Sequence, residues 1–183
     1  MNKIVLILSL VLMSSFCLCT DKTDSGSDDL SDYDNNLEVH IGENGIINIP
    51  LKSTINESDS TTFTNTTDSE IARDYKSGTY KIIYFDYDKT NMTVGEANVV
   101  LHIASVIGTF NTIYPYVVVD DTVYNSTADI EKVKNSNITL TINISKGLTP
   151  ANIEKYNNTY IIKGNSLEEL EKAETRFVIA MFS

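Results

Sequence analysis

The chain has 183 residues, with 25 aspartates and glutamates against 14 lysines and arginines, a net charge of −11 and two cysteines. Such an acidic balance repels nucleic acid and anionic lipid headgroups, so neither is an expected partner. Cys17 and Cys19 both fall at the end of an apolar leader, which excludes a disulfide framework, thiolate zinc and thiol catalysis from everything after it.

The leader, MNKIVLILSLVLMSSFCLC (1–19), has Lys3 in a basic head and an apolar run broken only by Ser9. The run is shorter than the roughly 20 apolar residues of a spanning helix and reads as a secretory signal peptide. The expected destination is extracellular, at the cell surface. Cys19 is a lipidation candidate that would hold the chain to the membrane by an N-terminal anchor; cleavage after Cys19 is the alternative. Residues 20–36, TDKTDSGSDDLSDYDNN, set six aspartates against one lysine. Their charges repel and they have little to bury, so they are expected to form a disordered tether. It would span roughly 20–25 Å root-mean-square if fully flexible.

Residues 37–52 show two short alternating runs around Asn44-Gly45, the pattern of a β-hairpin. Residues 53–74 are nearly all polar and aperiodic, and read as a Ser/Thr-rich linker. From Tyr75 to the end (75–183) strands alternate with helices. TYKIIYFDY (79–87) has the β-branched and aromatic content of a strand. Thr93 and Glu96 form a capping box that opens the helix VGEANVVLHIASVIG, with Gly108 placed to end it. This helix is apolar almost all round, as a helix buried on more than one side would be. The strand TIYPYVVVDD and a helix from Thr127 to about Lys134 come next. They are followed by the strand NITLTINIS, a turn of helix at Thr149-Pro150 and the strand NTYIIKG.

The last helix opens on a second Ser166/Glu169 capping box. Its apolar stripe is Leu167, Leu170, Ala173, Phe177 and Ala180. The alternation predicts an α/β fold: one domain with a mostly parallel sheet flanked by helices, preceded by the hairpin and the tether. The hairpin is expected at the sheet's edge or loosely attached.

Ligands of parallel sheets gather beyond the carboxyl ends of the strands, where Asp86, Asp88, Asp120 and Asp121 fall. Aspartate is also common wherever a buried strand meets water and turns. Seven Asn-x-Ser/Thr sequons, at Asn56, Asn65, Asn91, Asn125, Asn137, Asn143 and Asn157, are glycan acceptors in an exported chain. The two histidines, His40 in the hairpin and His102 in the apolar helix, offer no nucleophilic triad.

Two stretches resemble known families. IIYFDYDKT (82–90) resembles motif I of the haloacid dehalogenase-like phosphatases, and IIKGNSLEELEKA echoes their later acidic motif. The resemblance implies Asp86 as a phosphoryl-accepting nucleophile, Asp88 as a proton-handling partner and magnesium as cofactor. Where that family has an aspartate ligand this chain has Asn165, and no aspartate follows residue 129. An amide brings no charge to a cation that must neutralise a phosphoryl group. VGEANVVLHIASVIGTF leading to YVVVDD, together with TYIIKGNSLEELEKAETRFVIAMF, is similar to the helix–strand and terminal strand–turn–helix units of archaeal surface-layer (S-layer) proteins. That likeness implies a non-catalytic envelope module whose partners are other envelope or surface-layer components. The sequence expectation is therefore an exported, anchored, glycosylated protein with a structural or recognition role and no resident metal or cofactor. A secreted magnesium-dependent phosphatase using Asp86 and Asp88 is the alternative.

Overall fold

The computed structural model describes residues 35–183 except Asn44 and Asn125. The expected signal peptide, the lipidation candidate Cys19 and the expected tether up to residue 34 lie outside the described residues.

The fold is α/β. A two-stranded antiparallel hairpin, β1 (Asn36–Ile41) with β2 (Gly45–Pro50), precedes a six-stranded sheet. The sheet contains β3 (Thr62–Thr64), β4 (Ile82–Tyr87), β5 (Val117–Val119), β6 (Thr139–Lys146), β7 (Asn152–Tyr156) and β8 (Thr159–Gly164), in the order β3-β7-β8-β6-β4-β5. All neighbours are parallel except β7 and β8. The helices are α1 (Ile55–Ser58), α2 (Asp68–Lys76), α3 (Val94–Thr109), α4 (Thr127–Lys134) and α5 (Leu167–Phe182).

Period two decides which way each strand faces. Ile83 and Phe85 of β4, Leu140, Ile142 and Ile144 of β6, and Tyr160 and Ile162 of β8 stand in register on one face, all buried. Against them pack Ile71 and Tyr75 of α2, Val99, Ile103 and Ile107 of α3, and Leu170, Phe177 and Met181 of α5. Tyr84 and Asp86 point to the opposite face. There Lys134 of α4 lies 5.1 Å from the Tyr84 ring centroid and 3.0 Å from Asp86. Helices therefore cover both faces, with α2, α3 and α5 on one and α4 on the other.

The hairpin is not part of the sheet's edge, nor is it loose. Leu37, Val39, Ile41, Ile47 and Ile49 share one face and join the core, with Leu51 behind them. Register pairs Ile41 with Gly45, and it is Gly42 that takes the left-handed φ of +60°.

Residues 53–74 are structured, not a linker. Thr54 and Glu57 cap α1 reciprocally. β3 pairs with β7, and Asn152 Nδ2 donates to Thr62 O (3.2 Å), Thr62 Oγ1 (2.8 Å) and Thr64 Oγ1 (3.2 Å). Arg176 of α5 holds Asp59 at 2.6 Å and Asp68 at 2.5 Å. Polar composition hid this segment because its partners are polar too, and Phe63 alone carries its strand into the core.

The turn of helix expected at Thr149-Pro150 is not formed: the chain bends there and then enters β7, which forms a hairpin with β8. Asn157 takes φ +55° in the intervening turn, a conformation asparagine tolerates better than most residues. The helix expected to end at Gly108 runs to Thr109. The second capping box is half formed: Ser166 accepts from Glu169 N, while the Glu169 carboxylate leaves to accept from Ala151 N at 2.8 Å.

Candidate functional site

After β4 the chain enters α3 on the core face, and before β6 it arrives from α4 on the other face. The carboxyl ends of the parallel neighbours β4 and β6 lie side by side, at the end of the sheet where ligands of open α/β folds bind. A hollow of about 510 Å³ lies there. Its sides come from Asp86, Tyr87 and Asp88 at the end of β4, Asn91 and Met92 in the following loop, and Asn143 to Lys146 of β6; Glu96 of α3 and Leu170 of α5 complete it.

The carboxylates at this end of the sheet, in the hollow and beside it, are each held by their own chain. Asp86 lies 3.0 Å from Lys134 Nζ and accepts from Asn143 Nδ2 at 3.2 Å. Asp88 accepts from Thr90 N (2.9 Å), Thr90 Oγ1 (2.6 Å) and Asn91 Nδ2 (2.7 Å). Those bonds favour its charged form, the Thr90 hydroxyl first, and bring its pKa down to about 2. Asp120 accepts from Tyr87 OH (2.9 Å) and Thr122 N (2.9 Å), and Lys89 sits 3.3 Å away while also contacting Asp121. Burial pushes Asp120 up, but the donors from Thr122 and Tyr87 together with Lys89 outweigh it and hold the group below the usual carboxylate range. Burial, followed by the bond to Asp120, raises the Tyr87 phenol to about 12. Glu96 closes the α3 capping box with Thr93 and also binds Lys146 at 2.8 Å. Its burial is opposed by Lys146 and Thr93, and it too stays below its ordinary value.

These residues do not fit a magnesium site. Asp86 turns to Lys134 and Asn143, whereas Asp88 is folded back onto its own loop. Thr90, the last residue of the motif, is spent on Asp88. Asn165 stands exposed between Gly164 and the cap of α5. Among the described residues no three His, Cys, Asp or Glu side chains gather as a metal-holding group.

The sequence reading located Asp86 and Asp88 on one rim but missed what holds Asp86. Lys134 was visible only as a basic residue in the last turn of a helix. Asn143 was visible only as a sequon; in the fold it is a half-buried residue of the central strand β6, bonded to Asp86. Asn56, Asn65, Asn91, Asn137 and Asn157 are all exposed. Asn125 lies outside the described residues. His102 is no base for this site: its Nδ1 lies 2.5 Å from Glu174 Oε1, between α3 and α5.

No family model matches the chain, and no solved structure matches it. An uncharacterized protein of Methanocaldococcus jannaschii, MJ0259, is 34% identical over 205 aligned residues, which span all of this chain and 98% of the relative. The chain belongs to the MJ0259 family. Residues 1–34, the hairpin, the segment 53–74 and the α/β sheet all lie within the aligned length, so the match to MJ0259 extends along both chains. Among the described residues no helix is long and apolar enough to cross a membrane.

Proposed function

We propose that this member of the MJ0259 family is an exported, surface-anchored and glycosylated envelope protein that acts by packing or recognition, without catalysis. The observation that carries the non-catalytic reading is the carboxyl-end rim of the sheet, in and beside the hollow. Asp86, Asp88, Asp120 and Asp121 are each occupied by lysine, hydroxyl, amide or backbone donors of the same chain. A nucleophilic carboxylate would need to be free to attack and beside a cation that screens its target. The leader, the acidic tether and five exposed sequons support the envelope half of the reading. Its partners on this view are other envelope or surface-layer components, met through a module held clear of the membrane by the tether.

Mass analysis of the protein taken from its native cells tests this reading. The expected result is a chain lacking the leader, with lipid at Cys19 or a new N-terminus just after it. Sugar is expected on the exposed sequons Asn56, Asn65, Asn137 and Asn157, and none on Asn143 or on Asn91, whose amide is engaged by Asp88. An intact leader with no sugar overturns the envelope assignment. Turnover of a generic phosphate ester with magnesium, lost in Asp86→Asn, overturns the non-catalytic one.

A further inference from the structure

We propose that the hollow between β4 and β6 binds a small hydroxylated organic ammonium compound, of the size and chemistry of an amino sugar. The inference rests on the recognition role proposed above and gives that role a ligand class.

The crevice lies where the carboxyl ends of β4 and β6 meet the loop before α3 and the first turns of α3 and α5. Its volume of about 510 Å³ falls within the roughly 300–1,000 Å³ of small-molecule sites. The lining is of two kinds. Met92 offers apolar surface for the body of a ring, with only the edges of the core residues Ile144 and Leu170 reaching the floor, and Asn91, Asn143 and Ser145 offer amide and hydroxyl groups for its substituents.

Charge then selects within that class. Lys146, the one cation of the lining, is already matched by Glu96 at 2.8 Å. Asp86 shares Lys134. Asp88 has only neutral donors, Thr90 and Asn91, and no ion-pair partner among the described residues. It is the uncompensated charge at the mouth, so an ammonium gains there and a phosphate or carboxylate is repelled. This is the opposite preference to that of a phosphatase.

Titration of the full chain, followed by calorimetry and amide NMR at fixed ionic strength, compares glucosamine, glucose and glucose 6-phosphate. Glucosamine is expected to bind saturably and to move the resonances of Asn91 and Ser145. Glucose should bind about tenfold more weakly, and the phosphate ester should not bind. Asp88→Asn, in an exposed loop, should lower glucosamine affinity to the glucose level. Glu131→Gln, which removes one charge from the exposed side of α4, should leave it unchanged. Ser145→Phe should fill the hollow and abolish binding; if that chain does not fold, Asp88→Asn decides alone. The proposal is overturned by absence of saturable binding, by shifts scattered over the acidic surface that Glu131→Gln weakens equally, or by glucose 6-phosphate binding as well as glucosamine. None of these outcomes bears on export or glycosylation, which the mass analysis reads independently.

Discussion

Replacing His102 by leucine would strand a charge in the helix layer. Glu174 is 0% exposed, and its Oε1 meets His102 Nδ1 at 2.5 Å. Thr175 Oγ1, at 3.5 Å from Oε2, is a marginal second donor. Burial is the largest influence on Glu174 and raises its pKa, with His102 the main opposing one. Removing one member of a buried pair costs about 3–5 kcal/mol, because the other is left uncompensated. That is a large share of the roughly 5–15 kcal/mol that holds a domain together.

The pH dependence has a definite sign. A carboxyl whose folded pKa is raised binds more protons folded than unfolded, so the stability it confers is full below its unfolded value of about 4.3 and falls as pH rises through the folded value. Without the imidazole to offset that fall, the deficit of His102→Leu should widen from pH 5 to pH 8. Urea unfolding followed by circular dichroism should show the midpoint lower by roughly 2 M at pH 8. Glu174→Gln should cost much less. The double replacement His102→Leu/Glu174→Leu should recover most of the loss, since two apolar side chains leave nothing unpaired. A deficit under 1 kcal/mol that does not change with pH would refute this account.

Other replacements separate backbone from side-chain limits. In Gly164→Ala the new Cβ would lie 2.3 Å from Leu170 N and 2.6 Å from Glu169 C. Neither can move without displacing α5, and a loss at or above the usual 1–3 kcal/mol of overpacking is expected by thermal melting. Gly95→Ala meets only the Leu167 side chain, and its gain of up to about 1 kcal/mol in helix propensity should leave the melting temperature within a few degrees of the parent. Thr93→Ala removes the reciprocal cap of α3 and should cost about 1 kcal/mol in urea unfolding. NMR titration should find Asp88 with its midpoint near 2; a midpoint near 4 would mean that the Thr90 and Asn91 donors are not engaged.

What could be read from the sequence was whatever local chemistry decides. Helix α4 begins at Thr127 and ends at Lys134 as expected, because Ser126 caps it and its charges suit its ends. The rim position of Asp86 and Asp88 follows from an apolar run meeting polar residues. What could not be read depends on distant pairing. β7 was missed because its alternation is short and follows a proline that also suits a helix start. β3 was missed because three residues in a polar stretch become a strand only when Asn152 and Ile153 lie beside them. The hollow is a product of strand order: nothing in Asn143 or Lys134 announces that each will face Asp86 until β6 is laid beside β4 and α4 crosses behind.

The pairing of β3 with β7 also governs when the molecule can be finished. Thr62 N binds the carbonyl of Ala151 at 3.0 Å, so one rim of the sheet waits for a partner made nearly ninety residues later. Contacts this remote in the chain slow folding. During synthesis the early strand stays an open edge until β7 has been made, ahead of β8 and the last helix. A shortened chain starting at Tyr75 would lack that rim and most of α2, leaving β7 as a bare edge open to other copies.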